Sequence, residues 1–565
     1  MAYEEEIGIL REQLKGKMPK YVELQKKNLL VVYLYKNIYV KEKNDRNKCK
    51  EIDELCKEII IEGSREIRNL KETEKIIELN RIIEQSYQIR GRRYFEDFLI
   101  AVEYEFEYDG KFYEIRKKVL REWVKYLDDL EYGVLKGLSI SAPPRSGKTA
   151  CGEFFLMWVA LRHPEKSCLF VSHTAAMANK VFKDILNYLG DSRRNIKKIF
   201  EEFEIKEQSA EFMYIQLKHT GSNPYHTMYF RGIDGNMAGV LEASWLLYCD
   251  DLIKNIEEAM NPDRLENARN KYGIDIRQRK SNKNVRELHI ATRWSTGDVI
   301  STLEREHEDD KEWKFVKKPA LDENGKSNFM YEGEYALDEE YFNAQRNSPM
   351  MDEISFSCIY QQEPIDRTGL MFSENALQYF DGELPESEPD LICAACDVAW
   401  GGGDYLSFPI AKVYGYDVYI YDWIYSKEKK TVTKPLIVGA IEGQKIIKAH
   451  FEANNGGDEY ADDIDKQLKE DNYRCLVTNS RVPTTLSKLA RIQICTDEIT
   501  GISSKYKLYF LSAEARKNKP MYNLAMKHLF MFSQEAKKQG KQKDDVPDSL
   551  ANLITNVLGA SKVRT

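Results

Sequence analysis

Between Val134 and Thr149 the chain passes from an apolar run, Val134-Leu-Lys-Gly-Leu-Ser-Ile140, through Ser141-Ala-Pro-Pro-Arg-Ser-Gly-Lys-Thr149 into a helical pattern from Cys151. Strand, tight loop and helix, with Gly147-Lys148-Thr149 at the turn, make a phosphate-binding loop. No other stretch constrains the fold as strongly. In such a loop, backbone N–H groups and a helix N-terminus face a polyphosphate, an ammonium reaches the terminal phosphates, and a hydroxyl takes Mg²⁺. Pro144, Arg145, Ser146, Gly147, Lys148 and Thr149 are the expected nucleotide contacts, with Thr149 also a metal ligand. The usual opening glycine is replaced by Ala142. The glycine beside the lysine, where a side chain would most obstruct phosphates, is kept. The alternative is a Gly-Lys-Thr helix start that holds no ligand.

A chain of 565 residues is too long for one core and predicts two or three domains. Its 42% hydrophobic and 31% charged residues describe a globular protein rather than a disordered one. No apolar run is long enough to span a membrane. The acidic start, Met1-Ala-Tyr-Glu-Glu-Glu, is unlike a secretory signal. Ten scattered cysteines fit a reducing cytoplasm. The close pair Cys393-Ala-Ala-Cys396 lacks a second pair, and on a strand its members face opposite sides, so neither a zinc nor a redox site is expected. Eight histidines show no ligand spacing. With a net charge of −8, any contact to DNA has to come from local basic surfaces.

Residues 1–94 read as a helical N-terminal extension, with apolar residues at helical spacing in Glu51–Ile60 and Lys75–Ile83. Arg90-Gly-Arg-Arg93 within it is either a phosphate contact or an ordinary basic cluster. From Tyr94 an aromatic-rich amphipathic pattern leads into the phosphate loop and is the expected place of an adenine pocket. After the loop, helix (Cys151–Leu161), strand (Ser167–Ser172) and helix (Ala175–Leu189) predict an α/β fold of P-loop NTPase type, a parallel sheet with helices on both faces, over 95–364. Trp245-Leu-Leu-Tyr-Cys-Asp-Asp251 is an apolar strand ending in two acids. By their order, Asp250 is assigned to the Mg²⁺ shell and Asp251 to the attacking water. Phe230-Arg-Gly-Ile-Asp-Gly-Asn-Met-Ala-Gly239 is either a strand connection or a loop near the phosphates. Thr292-Arg293, closing the strand Glu287-Leu-His-Ile-Ala, are placed to sense the γ-phosphate.

Asp381–Asp390 is half acidic and carries two prolines, so a linker is expected over 365–390 and a second domain over 391–565. That domain opens with the strand Leu391-Ile-Cys-Ala-Ala-Cys-Asp397, a Gly401-Gly-Gly403 loop, and strands near Ser407–Tyr414 and Asp417–Tyr425. Three antiparallel strands with a carboxylate on the first describe the start of a ribonuclease-H-like fold. A later strand ends at Glu452, and Asp544-Asp-Val-Pro-Asp548 opens an apolar helix on which Asp545 and Asp548 share a face. Asp397, Glu452, Asp545 and Asp548 are the expected ligands of a two-metal nuclease centre for Mg²⁺, with Mn²⁺ as substitute. The Asp-x-x-Asp spacing is similar to that of Holliday-junction resolvases and favours Asp545 over Asp544. Lys488 and Arg491, one helical turn apart, either meet DNA phosphates or lie on a solvated face.

Five features taken together resemble the large terminase subunits of tailed bacteriophages: Pro143–Thr149, Leu247–Asn255, Ala291–Trp294, Ile359-Tyr-Gln-Gln-Glu-Pro364 and the C-terminal half. The resemblance spans about residues 95–560 and leaves out the N-terminal helices. It implies an ATP-driven DNA-packaging motor joined to an endonuclease that cuts concatemeric DNA. Arg145 would then be a charge-stabilising arginine, and Thr292-Arg293 would couple hydrolysis to movement. It also implies partners: double-stranded DNA, a portal protein, a small terminase subunit and further copies of the chain on the portal. The place of action would be the host cytoplasm and, transiently, the procapsid portal, but not the mature virion. The alternative is a helicase–nuclease of host repair or defence, against which the Tyr360–Pro364 joint and the want of a second helicase motor domain argue.

Overall fold

Three short runs in which every side chain is buried, β1 (Gly137–Ser141), β2 (Cys168–Ser172) and the later Leu246–Asp250, form the middle of a sheet covered on both faces. The computed structural model describes residues 3–235, 237, 241–259, 262–331, 333–348, 351, 353–364, 370–398, 405–453, 457–480, 488–503, 505–533 and 544–559. These fall into two units, Met1–Pro364 and Ile365–Thr565.

The sheet of the first unit is completed by β3 (Ile205–Ser209), β4 (Tyr214–Leu217), β5 (Met228–Gly232), β6 (Leu246–Asp250), β7 (Arg286–Ala291) and β8 (Trp313–Lys317). Its order is β3-β4-β5-β2-β6-β7-β1-β8, parallel from β5 to β8 with an antiparallel edge at β3 and β4. The strand feeding the phosphate loop is therefore separated from the acid-bearing β6 by one strand, β7. All three end on the same side, where open α/β sheets bind ligands. The helix Lys148–Arg162 is buried along nearly its whole length, with Trp158 fully enclosed.

The N-terminal helices Lys20–Lys36, Lys50–Ile67 and Thr73–Gly91 pack through Leu24, Val31, Ile52, Cys56, Ile59, Leu79 and Ile83. The steps from Ile52 to Cys56 to Ile59 alternate four and three residues, which keeps one stripe turned inward. Arg90, Arg92 and Arg93 are structural. Arg93 is fully buried and grips Asp53 with two nitrogens, Arg92 pairs with Glu202, and Arg90 pairs with Asp97 at 2.7 Å. Buried guanidinium–carboxylate pairs of this kind are costly to break because one charge is left stranded. Asn44 Nδ2 donates to the Arg162 carbonyl and Trp158 Nε1 to that of Gly91, tying these helices to the helix that follows the phosphate loop.

The second unit holds β9 (Gln378–Phe380), β10 (Leu391–Cys396), β11 (Leu406–Tyr414), β12 (Asp417–Ser426), β13 (Lys448–Glu452), β14 (Leu476–Ser480) and β15 (Lys507–Leu511) in the order β14-β13-β10-β11-β12-β15-β9. The β10–β11–β12 meander is antiparallel, while β13 and β14 add in parallel beside β10. This is the ribonuclease-H-like arrangement, lengthened beyond β12 by β15 and β9. β9 lies inside the expected 365–390 linker, just before the acidic Asp381–Asp390, so part of that linker is sheet. The Gly401–Gly403 loop lies outside the described residues, as do Asn236, Ala238 and Gly239 of the glycine-rich stretch Phe230–Gly239. Cys393 and Cys396 are both buried; burial pushes the Cys393 thiol up to about 12 and the Cys396 thiol well above its usual range, which disfavours the reactive thiolate.

Candidate active sites

In the first unit the loop after β1 is tightly determined. Arg145 (φ 65°) and Gly147 (φ 82°) both take left-handed backbone conformations. A Cβ at Gly147 would also stand 3.1 Å from the Phe112 ring and 3.3 Å from Arg116 Cδ, so a side chain there would be strained in its backbone and would crowd both neighbours. The Ser146 carbonyl accepts from the Tyr331 hydroxyl at 2.6 Å, which pins the turn from a distant segment. Arg145 is exposed, and the Ser146 hydroxyl is buried without a partner.

Lys148 opens the helix and is buried. Its Nζ donates to Thr292 Oγ1 at 2.7 Å and lies 3.8 Å from Asp251 Oδ2. Asp251 Oδ1 in turn accepts from the Thr292 N–H at 2.7 Å. Thr292 thus joins the loop lysine to the second acid. Asp250 ends β6 in register with Ser172 on one side and Ile290 on the other. Neither of its buried oxygens has a hydrogen-bond partner of good geometry, although the Thr149 hydroxyl is near enough to favour the charged form. Burial pushes the Asp250 carboxyl well above its usual range; Asp251 adds to this and Lys148 opposes it. An orphaned buried carboxylate beside a phosphate loop is the donor that a Mg²⁺–nucleotide would complete.

Arg293 carries the site outward. Its guanidinium bonds Asp298 and Glu304, each at 3.2 Å, and Ser301. Asp298 caps the helix Val299–Glu306. The Arg293 N–H donates to Gln362 Oε1 at 3.2 Å. The stretch expected to hold adenine supplies Phe112 and Arg116, whose guanidinium carbon lies 5.1–5.3 Å from the rings of Phe112, Tyr331 and Tyr335. Tyr331 and Tyr335 gave no signal in the sequence, because only the fold brings them to the loop.

In the second unit Asp397, directly after β10, and Glu452, ending β13, stand on neighbouring parallel strands whose register pairs Cys396 with Phe451. Gly457, a few residues on, approaches so closely that a Cβ would lie 1.8 Å from the Glu452 carbonyl oxygen. The helix Asp545–Asn552 brings Asp548 to both, and one ligand atom of each acid lies within 4.8 Å of the others. All three are buried. Asp545 is outside that group; its Oδ2 lies 3.4 Å from the Tyr405 N–H. Burial raises the Asp397 carboxyl far above its usual range, with Asp548, Glu452 and Asp545 adding to it against Lys488. Burial likewise takes Asp548 up to about 6, held down by Lys488 and Arg491.

Those two cations are turned onto the acids. Lys488 reaches Asp397 and Asp548, and Arg491 reaches Glu452 and Asp548. Asn552 Nδ2 donates to Glu452 Oε2 at 3.0 Å. Its place four residues after Asp548 on one helix was the available clue. Three converging buried carboxylates with oxygen donors alone suit a hard divalent cation, so the residues fit Mg²⁺ or Mn²⁺.

No family model and no curated protein sequence matches the chain. Among solved structures the chain is similar to the large terminase of the thermophilic bacteriophage D6E in complex with ADP, at 11% identity over 79% of this chain and 99% of that one, with a TM-score of 0.27. It is likewise similar to the large terminase of bacteriophage HK97, at 12% identity over 78% of this chain and 94% of that one, with a TM-score of 0.31.

Proposed function

We propose that the chain is a viral DNA-packaging motor of the large-terminase kind, which hydrolyses ATP to drive double-stranded DNA into a procapsid and cuts concatemeric DNA with a metal-dependent endonuclease. One observation carries this reading: a phosphate loop wired to an acid pair and a buried three-carboxylate centre occur on one chain, each in its own unit.

In the first unit, Pro144–Thr149 and the helix N-terminus hold the polyphosphate. Thr149 and Asp250 would hold a Mg²⁺, which would supply neutralisation of the charge that develops on the phosphates. Asp251, held by the Thr292 N–H, orients the attacking water. Because Lys148 and Asp251 both touch Thr292, loss of the terminal phosphate is felt there and passes through Arg293 to the helix Val299–Glu306. Arg145, exposed on the loop, is free to approach the phosphates as a charge-stabilising group. In the second unit, Asp397, Glu452 and Asp548 would hold a divalent metal, which would supply activation of water for phosphodiester cleavage. Asp545, outside that three-acid group but close enough to add to the raised Asp397 carboxyl, would serve as an outer acid of the same centre.

The partners follow from this reading: DNA, a portal ring, a small terminase subunit and other copies of the chain, in the host cytoplasm and at the procapsid. Among the described residues no helix is long and apolar enough to cross a membrane. A strand-displacement assay tests the motor: a third strand bound to duplex DNA is displaced only with hydrolysable ATP. Cleavage of duplex DNA by a protein that fails to move along it would reject the packaging role and leave a nuclease.

A further inference from the structure

The acids of the second unit carry their own cations. Lys488 Nζ lies 3.3 Å from Asp397 Oδ2 and 3.1 Å from Asp548 Oδ2. Arg491 Nη1 lies 3.4 Å from Glu452 Oε2, and its Nη2 lies 3.0 Å from Asp548 Oδ1. Both side chains come from one helix, Lys488–Ile494, at a three-residue spacing that puts them on a common face. Each of the three carboxylates therefore meets at least one cation, and Asp548, fully buried, meets both. Without them, three converging acids would repel one another in a medium that screens poorly.

The two cations differ. Arg491 is enclosed (side chain 15% exposed) and its planar fork spans two acids, whereas the Lys488 side chain is 35% exposed and ends in a single ammonium on a flexible stem. A divalent ion within bonding distance of Asp397 and Asp548 would sit against the Lys488 ammonium, and like charges a few ångströms apart do not share ligands. Lys488 has solvent to withdraw into, and Arg491 has far less.

We propose that Lys488 is the resting counter-ion of this centre, and that metal entry is an exchange: the ion takes Asp397 and Asp548 from the Lys488 ammonium while Arg491 stays on Glu452 and Asp548. The proposal rests on reading the three acids as a metal centre. It makes Lys488 a brake on metal affinity and a stabiliser of the metal-free fold. The nuclease is then held closed at low metal concentration without distorting the acids.

The test uses the full-length protein without nucleotide and Mn²⁺ alone as the probe, with free ion counted by electron paramagnetic resonance. Removing a positive charge beside the ion should tighten Mn²⁺ binding roughly tenfold or more in Lys488→Met, while Lys488→Arg stays near wild type. In chelator, Lys488→Met should melt at a lower temperature than wild type and gain more on adding Mn²⁺. Equal or weaker Mn²⁺ binding by Lys488→Met overturns the exchange. If Asp397→Asn binds as much Mn²⁺ as wild type, the metal-centre reading falls and takes the exchange with it. A measurement on the unaltered protein guards against misfolded variants: acetylation of Lys488, read by mass spectrometry, should rise several-fold when Mn²⁺ is added. Labelling that does not change with Mn²⁺ overturns the proposal.

Discussion

Asp250 and Asp548 are both buried carboxylates, yet their surroundings are opposite. Asp250 has no cation bonded to it, because the nearby Lys148 is turned onto Thr292 and Asp251. Asp548 has two, Lys488 and Arg491, both within 3.1 Å. On the reading proposed above, the Asp250 carboxyl, raised by burial and without a bonded cation, is the group that a metal–nucleotide pair would complete. The second centre already pairs its acids with cations, which a metal would have to displace in part. A buried acid without a partner is costly, so the difference also divides stability from function.

The largest expected effects separate the two centres. Lys148→Ala removes the charge that neutralises the transferring phosphate, a contribution of about 3–4 kcal/mol, so ATP turnover should fall a hundredfold or more. Metal-dependent DNA cutting should persist in that variant. Asp397→Ala should do the reverse, abolishing plasmid cleavage and sparing ATPase. Assays of both activities on both variants, matched by thermal melting, decide this; an Asp397→Ala protein that folds but has lost ATPase would break the division.

Asp251→Asn sharpens the contrast within the first centre. It should keep Mg–ATP binding, measured by calorimetry, and lose turnover by roughly two orders of magnitude or more, the size typical of a lost general base. Turnover at the wild-type rate would mean that the water is oriented elsewhere.

Glu131 offers a self-paired acid where no metal is involved. Burial works against its charge, but His163 (2.7 Å), Arg162 (3.0 Å) and Trp245 (2.9 Å) overcome this and take its carboxyl down from 4.5 to about 2. A depressed acid adds stability that is fully present above the unfolded value and is lost as pH falls through the folded one. Glu131→Gln should therefore cost on the order of 3 kcal/mol at neutral pH, a penalty that shrinks as pH falls from 4.5 towards about 2. Denaturant melts across that window check the sign, and a penalty independent of pH would refute it.

The smallest effect is expected at Arg116, beside the phosphate loop. If its guanidinium and the rings around it flank the base of the nucleotide, Arg116→Ala should raise the KM for ATP several-fold, with kcat little changed, in line with about 1 kcal/mol for a cation–π contact. A fall in kcat at constant KM would assign Arg116 to the chemistry instead.

The parts of these centres that could be read from sequence are those fixed by local rules. A glycine–lysine–threonine turn after an apolar strand, and acids at strand ends, fall on the binding side of a parallel sheet wherever the strands are placed. Helical spacing went only part of the way. Asp545 and Asp548 are three residues apart, yet only Asp548 joins Asp397 and Glu452. Lys488 and Arg491 share a face as their spacing requires, but which way that face turns depends on the packing of their helix against the one carrying Asp548. The Tyr331 contact to Ser146 and the Glu131 pairing join segments far apart in sequence, and no local period announces them. The buried arginines of the N-terminal helices were legible only as a charge cluster, because Asp53 and Glu202, which answer them, are distant.

The parallel pairing of β10 with β13 has a consequence for how this chain tolerates change. Cys396 lies opposite Phe451, so the spacing between Asp397 and Glu452 is set by hydrogen-bond register rather than by either acid's own environment. Side chains on a strand alternate with period two, so losing one residue within β13 would turn Glu452 to the other face. The composition, charge and hydrophobicity of the strand would hardly alter. The connecting segment between β12 and β13 is under no such restriction, since a helix and its turns can absorb added length. Insertions are therefore expected to accumulate in that crossover and to be absent from the two strands, a pattern of length variation rather than of residue identity.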